Sequence, residues 1–237
     1  MPVNFAFLVL EEHPYGREML RILLENDFIP GMLIQEVSPV GDEEREKFLT
    51  RIAGQPIPPR ITELVAGRKI PIYCVSNHND STCQELLEGY KPDLLVLGGT
   101  RIIKSSILKI PDQGTVNSHP GLLPRLRGSA SVGWALYKDL PQGATTHYVD
   151  PEIDTGDIII SRQLPVYKND SYESLNYRIA LLAGELMTES LEAITTGKVH
   201  RAPQDPEAGE TLRVIPDDLL EEGRRLLAEG RYSHFVK

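Results

Sequence analysis

Cysteine is scarce in this sequence. Cys74 and Cys83 are the only two among 237 residues, and neither belongs to a C-x-x-C pair. Two cysteines are too few for a disulfide framework. We therefore expect both thiols to be reduced, as is usual for a protein of the cytosol.

Long apolar runs are also missing. The amino-terminal run NFAFLVL is short, lacks a basic leader and meets Glu11 and Glu12 at once, so it is typical of a buried strand and not of a signal peptide. No segment approaches the roughly 20 apolar residues that a membrane-spanning helix needs. These absences predict a cytoplasmic protein without a membrane partner.

Positive charge is in deficit. Lysine and arginine total 25 against 34 aspartates and glutamates, which leaves a formal charge of -9 at pH 7. A surplus of negative charge argues against nonspecific binding of nucleic acid. We therefore expect no nucleic-acid partner.

Several familiar site motifs are absent as well. The sequence contains no G-x-G-x-x-G after a strand, no P-loop, no H-E-x-x-H and no G-x-S-x-G elbow. Its six histidines are scattered, so we predict no metal site.

What is present is an alternation of strand-like and helix-like segments. Continuous apolar runs, which are typical of strands covered on both faces, alternate with amphipathic stretches. The predicted strands are residues 4–10, 28–37, 70–75, 93–99 and 114–120, followed by 142–150 and 155–166. The predicted helices include residues 15–27, 81–90, 129–140 (with Ser129 as N-cap) and 171–198. This order predicts an α/β fold with a doubly wound, mostly parallel sheet.

Two segments lie outside this alternation. Residues 41–68 are charged and proline-containing, and we interpret them as an exposed helical insertion. Residues 199–237 follow the long helix as a proline-rich loop and a short helix. We therefore divide the chain into a catalytic domain, residues 1–198, and a short C-terminal extension, residues 199–237.

The segment VNSHPGLLPRLRG carries the most informative pair of residues. Asn117 and His119 are two positions apart, so on a strand they share one face, while Ser118 points to the other. This excludes a triad built from Ser118 and His119. Ligands of parallel α/β sheets bind outside the carboxyl ends of the strands, where this pair is predicted to lie. The alternative is a structural histidine beside a turn.

An amide, an imidazole and a carboxylate together suit the attack of an amine on an acyl carbon. An asparagine amide can donate a hydrogen bond to an oxygen that becomes negative. A histidine can add a second bond, and a nearby carboxylate should raise the pKa of that histidine. The loop VDPEIDTGDI offers Asp150, Asp154 and Asp157 for the carboxylate role.

NSHPGLLPRLRG followed by HYVDPEIDTGDII resembles the paired signature of formyltransferases that use 10-formyltetrahydrofolate. The resemblance implies a Rossmann-like formyltransferase fold, with Asn117, His119 and Asp154 as catalytic residues. It also implies 10-formyltetrahydrofolate as formyl donor and no metal. His147, in the strand before the loop, is expected to pack or bond within its strand.

LGGTRIIKSSIL is a third match, similar to the family segment whose backbone grips the pterin. The resemblance implies a folate pocket on two segments. Its expected residues are Arg101, Ile102 and Ile103, with Val149, Asp150, Pro151, Glu152 and Ile153. Simple core packing is the alternative for Ile102 and Ile103.

Departures from the family pattern bear on the acceptor. Gly121 stands where the family commonly has serine, and LEEHPYG replaces the phosphate loop of the purine-pathway members. The short acidic-leaning tail and the net charge argue against transfer RNA. The pattern is closest to members that formylate amino sugars or other small amines. Alternatives are a formyltetrahydrofolate hydrolase, a phosphoribosylglycinamide formyltransferase and a catalytically silent folate-binding module.

Two arginines follow the L-L-P loop. We expect Arg125 and Arg127 on an exposed rim, where they could bind an anionic part of the amine substrate. Solvated surface arginines are the alternative. A homodimer is the commonest assembly for a protein of this kind.

Overall fold

A computed structural model describes residues 3–236. Residues 1, 2 and 237, at the ends of the two predicted parts, lie outside the described residues. The described chain forms strands β1 Phe5–Leu10, β2 Met32–Glu36, β3 Ile72–Val75, β4 Leu94–Leu97, β5 Thr115–His119, β6 Leu126–Gly128, β7 Gly143–Tyr148, β8 Ile158–Gln163 and β9 Glu210–Leu212. Its α-helices are α1 Pro14–Glu25, α2 Pro39–Arg51, α3 Ile61–Leu64, α4 Ser81–Tyr90, α5 Ser105–Leu108, α6 Ser131–Tyr137, α7 Tyr172–Thr195 and α8 Asp217–Ala228.

Seven strands form one sheet in the order β3-β2-β1-β4-β5-β7-β8. The first five run parallel, whereas β7 is antiparallel to both β5 and β8. The predicted α/β fold with a doubly wound, mostly parallel sheet is therefore confirmed. The chain order reverses at β1, which lies between β2 and β4, and ligands of such sheets bind at the carboxyl ends near this reversal.

Both faces of the sheet are covered, as the continuous apolar strands predicted. Alternate residues of β1 point to opposite sides: Phe5 and Phe7 join a core with residues of α1 and α7. Ala6 and Leu8 join a second core with Cys83 and other residues around α4 and α5.

The segment after α7 packs against the loop that follows β5. β9 pairs in parallel with β6, forming a two-stranded sheet that sequence patterns did not predict. α8 packs on α6, where Leu136 and Leu227 share a third apolar cluster. The predicted helix of residues 129–140 is shorter in the structure, and Ser129 is not its N-cap. Ala130 is the cap, because Ser129 still belongs to the segment that follows β6, where its N–H donates to the carbonyl of Leu212 in β9.

Residues 3–236 lack a helix suited to a membrane and a cluster suited to a metal ion, and both of their cysteines are free. In residues 3–236, no helix is both long and apolar enough to cross a membrane. The same residues hold no cluster of three or more His, Cys, Asp or Glu side chains suited to a metal ion. Cys74 is exposed and Cys83 is buried, and both are free thiols.

His13, immediately before α1, is a buried histidine outside the predicted site. Its ring lies 5.1 Å from the ring of Phe48, and its Nδ1 has no hydrogen-bond partner within the described structure. Burial, together with the positive charges of Arg51 and Arg45, lowers its pKa from 6.5 to about 4. The folded protein therefore holds His13 uncharged at neutral pH.

We expect His13→Leu to make the protein less sensitive to acid. Because the pKa is lowered on folding, the unfolded chain binds the proton first, so stability falls as the pH drops from about 6.5 toward 4. The wild type should lose about 3 kcal/mol more unfolding free energy over this interval than the variant. Urea unfolding at pH 7 and at pH 4 measures the difference. Equal losses in both proteins would contradict the prediction.

Candidate active site

β5 carries Asn117 and His119 to the carboxyl end of the sheet. In the strand register, Asn117 pairs with Leu97 of β4, and His119 pairs with Thr145 of β7. Val116, one position away, points into the core on the α7 side. The two side chains therefore share the opposite face, as the two-residue spacing predicted.

Asn117 is held by a histidine from the neighbouring strand. His147 of β7 lies directly opposite Asn117, and the Asn117 Nδ2 is 3.2 Å from its Nε2. The His147 Nδ1 is 2.8 Å from the Tyr148 carbonyl. If Nδ1 carries the hydrogen for that carbonyl, Nε2 accepts from Asn117. His147 thus bonds within its strand, as expected. It also orients the Asn117 amide, a role that the sequence pattern does not indicate.

His119 is 3% exposed and is engaged at both ring nitrogens. Its Nδ1 lies 3.3 Å from the Asp154 Oδ2. Its Nε2 lies 2.8 Å from the Leu126 carbonyl and 3.1 Å from the Ser131 hydroxyl. The loop after β5 therefore closes over the imidazole and fixes its orientation.

Asp154 is the carboxylate of the β7–β8 loop that reaches this pair. Its Oδ2 accepts a hydrogen bond of 2.8 Å from the Gly128 N–H, and its Oδ1 is 3.5 Å from the His147 Nε2. Asp150, in contrast, accepts bonds from Glu152 and Thr155 within the loop. The structure thus brings together Asn117, His119 and Asp154, together with His147.

A close approach of backbones shapes this loop. Gly156 packs so tightly on the end of β7 that a Cβ there would lie 2.0 Å from the Tyr148 carbonyl oxygen. Asp154 itself has a φ of +53°, in the left-handed region that aspartate and asparagine tolerate better than most residues. The turn therefore needs glycine at 156 and accepts Asp or Asn at 154.

The surroundings of Asp154 and His119 lower the pKa of both side chains. Burial would raise the pKa of the Asp154 carboxyl, but the imidazoles of His119 and His147 and the Gly128 N–H more than offset it, so the pKa lies below its ordinary value. Burial lowers the pKa of His119, and the nearby carboxylate compensates only in part. The expectation that the carboxylate would raise the His119 pKa is therefore wrong in net direction, because desolvation outweighs it.

Part of the predicted folate pocket is core and part is surface. Ile103 is buried, and Val149 is packed against the same cluster as Leu97, the neighbour of Asn117. Ile102, in contrast, is 68% exposed, and Ile153 is 42% exposed. Core packing thus accounts for Ile103 but not for Ile102.

The rest of this pocket is held by polar contacts. The Arg101 guanidinium donates to the buried Glu36 carboxylate and to the Ser38 hydroxyl. Asn79 donates to the Ile102 carbonyl at 3.0 Å and accepts from the Lys104 N–H at 2.6 Å. Segment 101–104 is therefore fixed in place by its neighbours. In the other loop, Asp150 is half-buried and Pro151 and Glu152 are exposed.

The two predicted rim arginines have different environments. Arg125 is exposed, as expected. Arg127 is only 4% exposed, and it donates to the Gln204 side chain and to the Asp205 carbonyl. The expectation of an exposed Arg127 is therefore wrong, because the C-terminal segment covers this side chain.

Comparison with known proteins identifies the family. A sequence model described as "Formyl transferase" matches residues 25–191, well over half of the chain. The chain belongs to the formyl transferase family. The resemblance carried by the two motifs around Asn117 and Asp154 is thereby confirmed.

Curated relatives of this chain include methionyl-tRNA formyltransferases. A methionyl-tRNA formyltransferase of Methylacidiphilum infernorum is 35% identical over 179 residues, covering 75% of this chain and 53% of that protein. The chain spans about half the length of the curated relatives it matches.

Solved structures share the fold at low sequence identity. A sugar N-formyltransferase from a Shewanella species has a TM-score of 0.65 and 16% identity, covering 95% of this chain and 87% of that one. A formyltransferase from Anoxybacillus kamchatkensis, solved with tetrahydrofolate and a formamido sugar nucleotide, has a TM-score of 0.59 and 20% identity and covers 97% and 100%. These likenesses confirm the formyltransferase fold.

Proposed function

We propose that this protein transfers a formyl group from 10-formyltetrahydrofolate to the amino group of a small molecule. The observation that carries the proposal is the convergence of Asn117, His119 and Asp154 at the carboxyl end of β5. These three side chains come from two motifs that match the family into which the chain falls. Asn117 and His119 come from one strand, and Asp154 comes from a loop more than 30 residues later.

Asn117 supplies the hydrogen bond for the developing negative charge. One N–H of its amide is directed to His147, and an asparagine amide has a second N–H to offer. That second donor suits the formyl oxygen, which becomes negative when the amine attacks the carbon. A donor fixed in advance stabilises such charge without reorganisation during the reaction.

Asp154 and His119 take part in removing the proton from the attacking amine. The lowered pKa of the Asp154 carboxyl keeps it ionised, so its charge stabilises the ammonium that forms on the attacking amine, and the carboxylate relays the proton that this amine releases. His119, in contact with Asp154 through Nδ1, provides a nearby site that can share this proton. The proton then passes to N10 of the folate as the bond between N10 and the formyl carbon breaks, which leaves tetrahydrofolate and the formylated amine. The lowered pKa of His119 keeps its imidazole uncharged near neutral pH, so the pair carries a net negative charge before the reaction.

The exposed apolar residues fit a folate. Ile102 and Ile153 lie on the two segments that flank the apolar cluster beside Asn117, and a flat pterin ring would cover such side chains. Asn79 already occupies the Ile102 carbonyl and the Lys104 N–H. The remaining backbone groups of residues 101–103 are those we assign to the pterin. The bound folate supplies the formyl group.

The net negative charge of the chain favours a small amine over a polyanion as the acceptor. A chain with a net charge of -9 repels a polyanion such as transfer RNA, although the curated relatives named above act on methionyl-tRNA. The β1–α1 turn offers Glu11, Glu12 and His13 instead of a glycine-rich phosphate loop, which disfavours glycinamide ribonucleotide. Formylated amino sugars, of the kind bound by the Anoxybacillus protein, are the class we test first.

The decisive experiment incubates the full chain with 10-formyltetrahydrofolate and an amine panel. The panel contains nucleotide-linked amino sugars, simple amines, glycinamide ribonucleotide and methionyl-tRNA, and mass spectrometry detects the added formyl group. Formylation of an amino sugar or simple amine supports the proposal. Formate release without any amine would identify a hydrolase, and folate binding without turnover would identify a silent binding module.

Arg125 is expected to contribute to acceptor binding. It borders a cavity of about 290 Å³ that Ser161 also lines, and Ser161 pairs with Thr145, the partner of His119. Arg125→Ala should raise the KM of an anionic acceptor several-fold, while the KM of the folate changes little. Lys109→Ala, in the turn after α5, is the matched loss of a positive charge. Unchanged KM values in Arg125→Ala would identify it as a solvated surface arginine.

A further inference from the structure

The backbone of Asp154 needs support from outside its own loop. A φ of +53° is uncommon for a residue other than glycine. Such conformations persist at functional sites when surrounding contacts hold them in place. Within the loop, the Glu152 N–H and the Thr155 hydroxyl donate to the Asp150 carboxylate. These bonds do not involve the Asp154 carbonyl, which is bound by another segment.

That segment is the chain after α7. The Gln204 Nε2 donates to the Asp154 carbonyl at 2.9 Å and to the Gly156 carbonyl at 2.7 Å. A side-chain amide has two N–H groups, and here each has one carbonyl. Gln204 therefore spans the strained turn on both sides of Thr155.

Gln204 is in turn held by the loop after β5. Its Oε1 accepts a bond of 3.3 Å from the Arg127 Nε, and Arg127 also donates to the Asp205 carbonyl at 3.0 Å. The next residue, Gly128, donates its N–H to the Asp154 carboxylate. The Arg127–Gly128 pair thus binds Asp154 directly through Gly128 and indirectly through Gln204.

The small sheet keeps these groups in register. β6 and β9 pair Arg127 with Thr211 and Gly128 with Leu212. A Cβ at Gly128 would lie 2.2 Å from the Leu212 carbonyl oxygen, so the two backbones are in close contact. The C-terminal segment is therefore packed against the residues that contact Asp154, and not only against the outside of the domain.

We infer that Gln204 is a positioning residue for formyl transfer. It holds the Asp154 backbone so that the carboxylate stays beside His119 and His147. This inference rests on the proposed function, because it assigns Gln204 an effect exerted through Asp154. An amide suits the position, because it donates to both carbonyls and also accepts from Arg127. A carboxylate would repel both carbonyl oxygens, and an apolar side chain would bind neither.

The test compares Gln204→Glu and Gln204→Met with wild type in the full chain. We expect kcat to fall by roughly 10- to 100-fold in both variants while the KM values for folate and amine change less than about threefold. The matched control is Gln84→Glu, because Gln84 bonds only to Glu88 of its own helix among the side-chain bonds described. Wild-type kcat in folded Gln204→Met would overturn the inference.

A double-mutant cycle separates positioning from a general structural effect. If Gln204 acts through Asp154, adding Gln204→Met to Asp154→Asn should lower kcat no further than Asp154→Asn alone. Multiplicative losses would overturn the inference, because Gln204 would then act independently of the carboxylate.

A measurement without turnover keeps the inference testable if no acceptor is found. Carbon-13 NMR of the aspartate carboxyls should show the Asp154 pKa rising toward its ordinary range in Gln204→Met, since the carboxylate would lose its fixed place beside the imidazoles. An unchanged Asp154 titration would reject the positioning role. Absence of transfer by wild type, with this shift present, would reject the proposed function alone.

Discussion

Asp154→Asn should reduce kcat for formyl transfer by a factor of roughly 100 to 10,000, the usual contribution of a proton-transferring group. The substitution removes the charge that stabilises the ammonium and relays its proton. It keeps the side-chain size, and asparagine tolerates the left-handed backbone at this position. Folding and folate binding should therefore survive, which steady-state kinetics and folate titration measure together.

The pH profile of this variant should also move. The Asp154 charge raises the pKa of His119 against the larger lowering by burial. Removing that charge should lower the His119 pKa further, so an inflection due to His119 shifts to lower pH. Asp112→Asn, at an exposed aspartate before β5, is the matched control. Near-normal kcat with an unshifted profile in Asp154→Asn would show that Asp154 only shapes the turn.

Asn117→Ala should lower kcat by roughly 100-fold or more, the scale of losing one donor to a developing oxyanion. Asn117→Asp should be at least as slow, because it replaces the donor with a negative charge at nearly constant size. The half-buried position of Asn117 makes a folding defect small. Rapid-mixing kinetics under single-turnover conditions measures the transfer step itself.

Ser118→Ala is the control for Asn117→Ala. Ser118 is buried on the opposite face, and its hydroxyl has no partner within the described structure. This variant should therefore keep both activity and stability. Wild-type turnover in folded Asn117→Ala would contradict the site.

His119→Ala is expected to be as slow as Asn117→Ala but is harder to interpret. The predicted position of His119 is the carboxyl end of a strand, where ligands of parallel α/β sheets bind. The side chain is instead buried and bonded to the Leu126 carbonyl and the Ser131 hydroxyl. Its removal leaves a cavity and unpaired groups, so thermal unfolding must accompany the kinetics.

Much of the fold and the central pair of the site followed from the sequence by itself. Alternation of apolar strands with amphipathic helices predicted the doubly wound sheet, because these patterns reflect local periodicity. The two-residue spacing of Asn117 and His119 placed them on one face for the same reason. The motif around Asp154 singled out that carboxylate from Asp150 and Asp157, which spacing alone left open.

The partners of these residues were decided by the tertiary structure. His147 faces Asn117 only because of the antiparallel register of β5 and β7, and a single sequence does not specify the register between strands. Gln204 reaches Asp154 across 50 residues, and the same return of the chain buries Arg127. The local periodicity of a sequence does not indicate contacts between positions so far apart in the chain.

The net direction of the His119 pKa also depended on the tertiary structure. The sequence indicated only the neighbouring carboxylate, which raises the pKa of His119. Desolvation is set by everything that packs around the ring, including the loop carbonyl of Leu126 and the helix residue Ser131. Side-chain spacing along a strand is a local property of the chain, whereas burial is a property of the assembled fold, and for His119 burial is the larger effect.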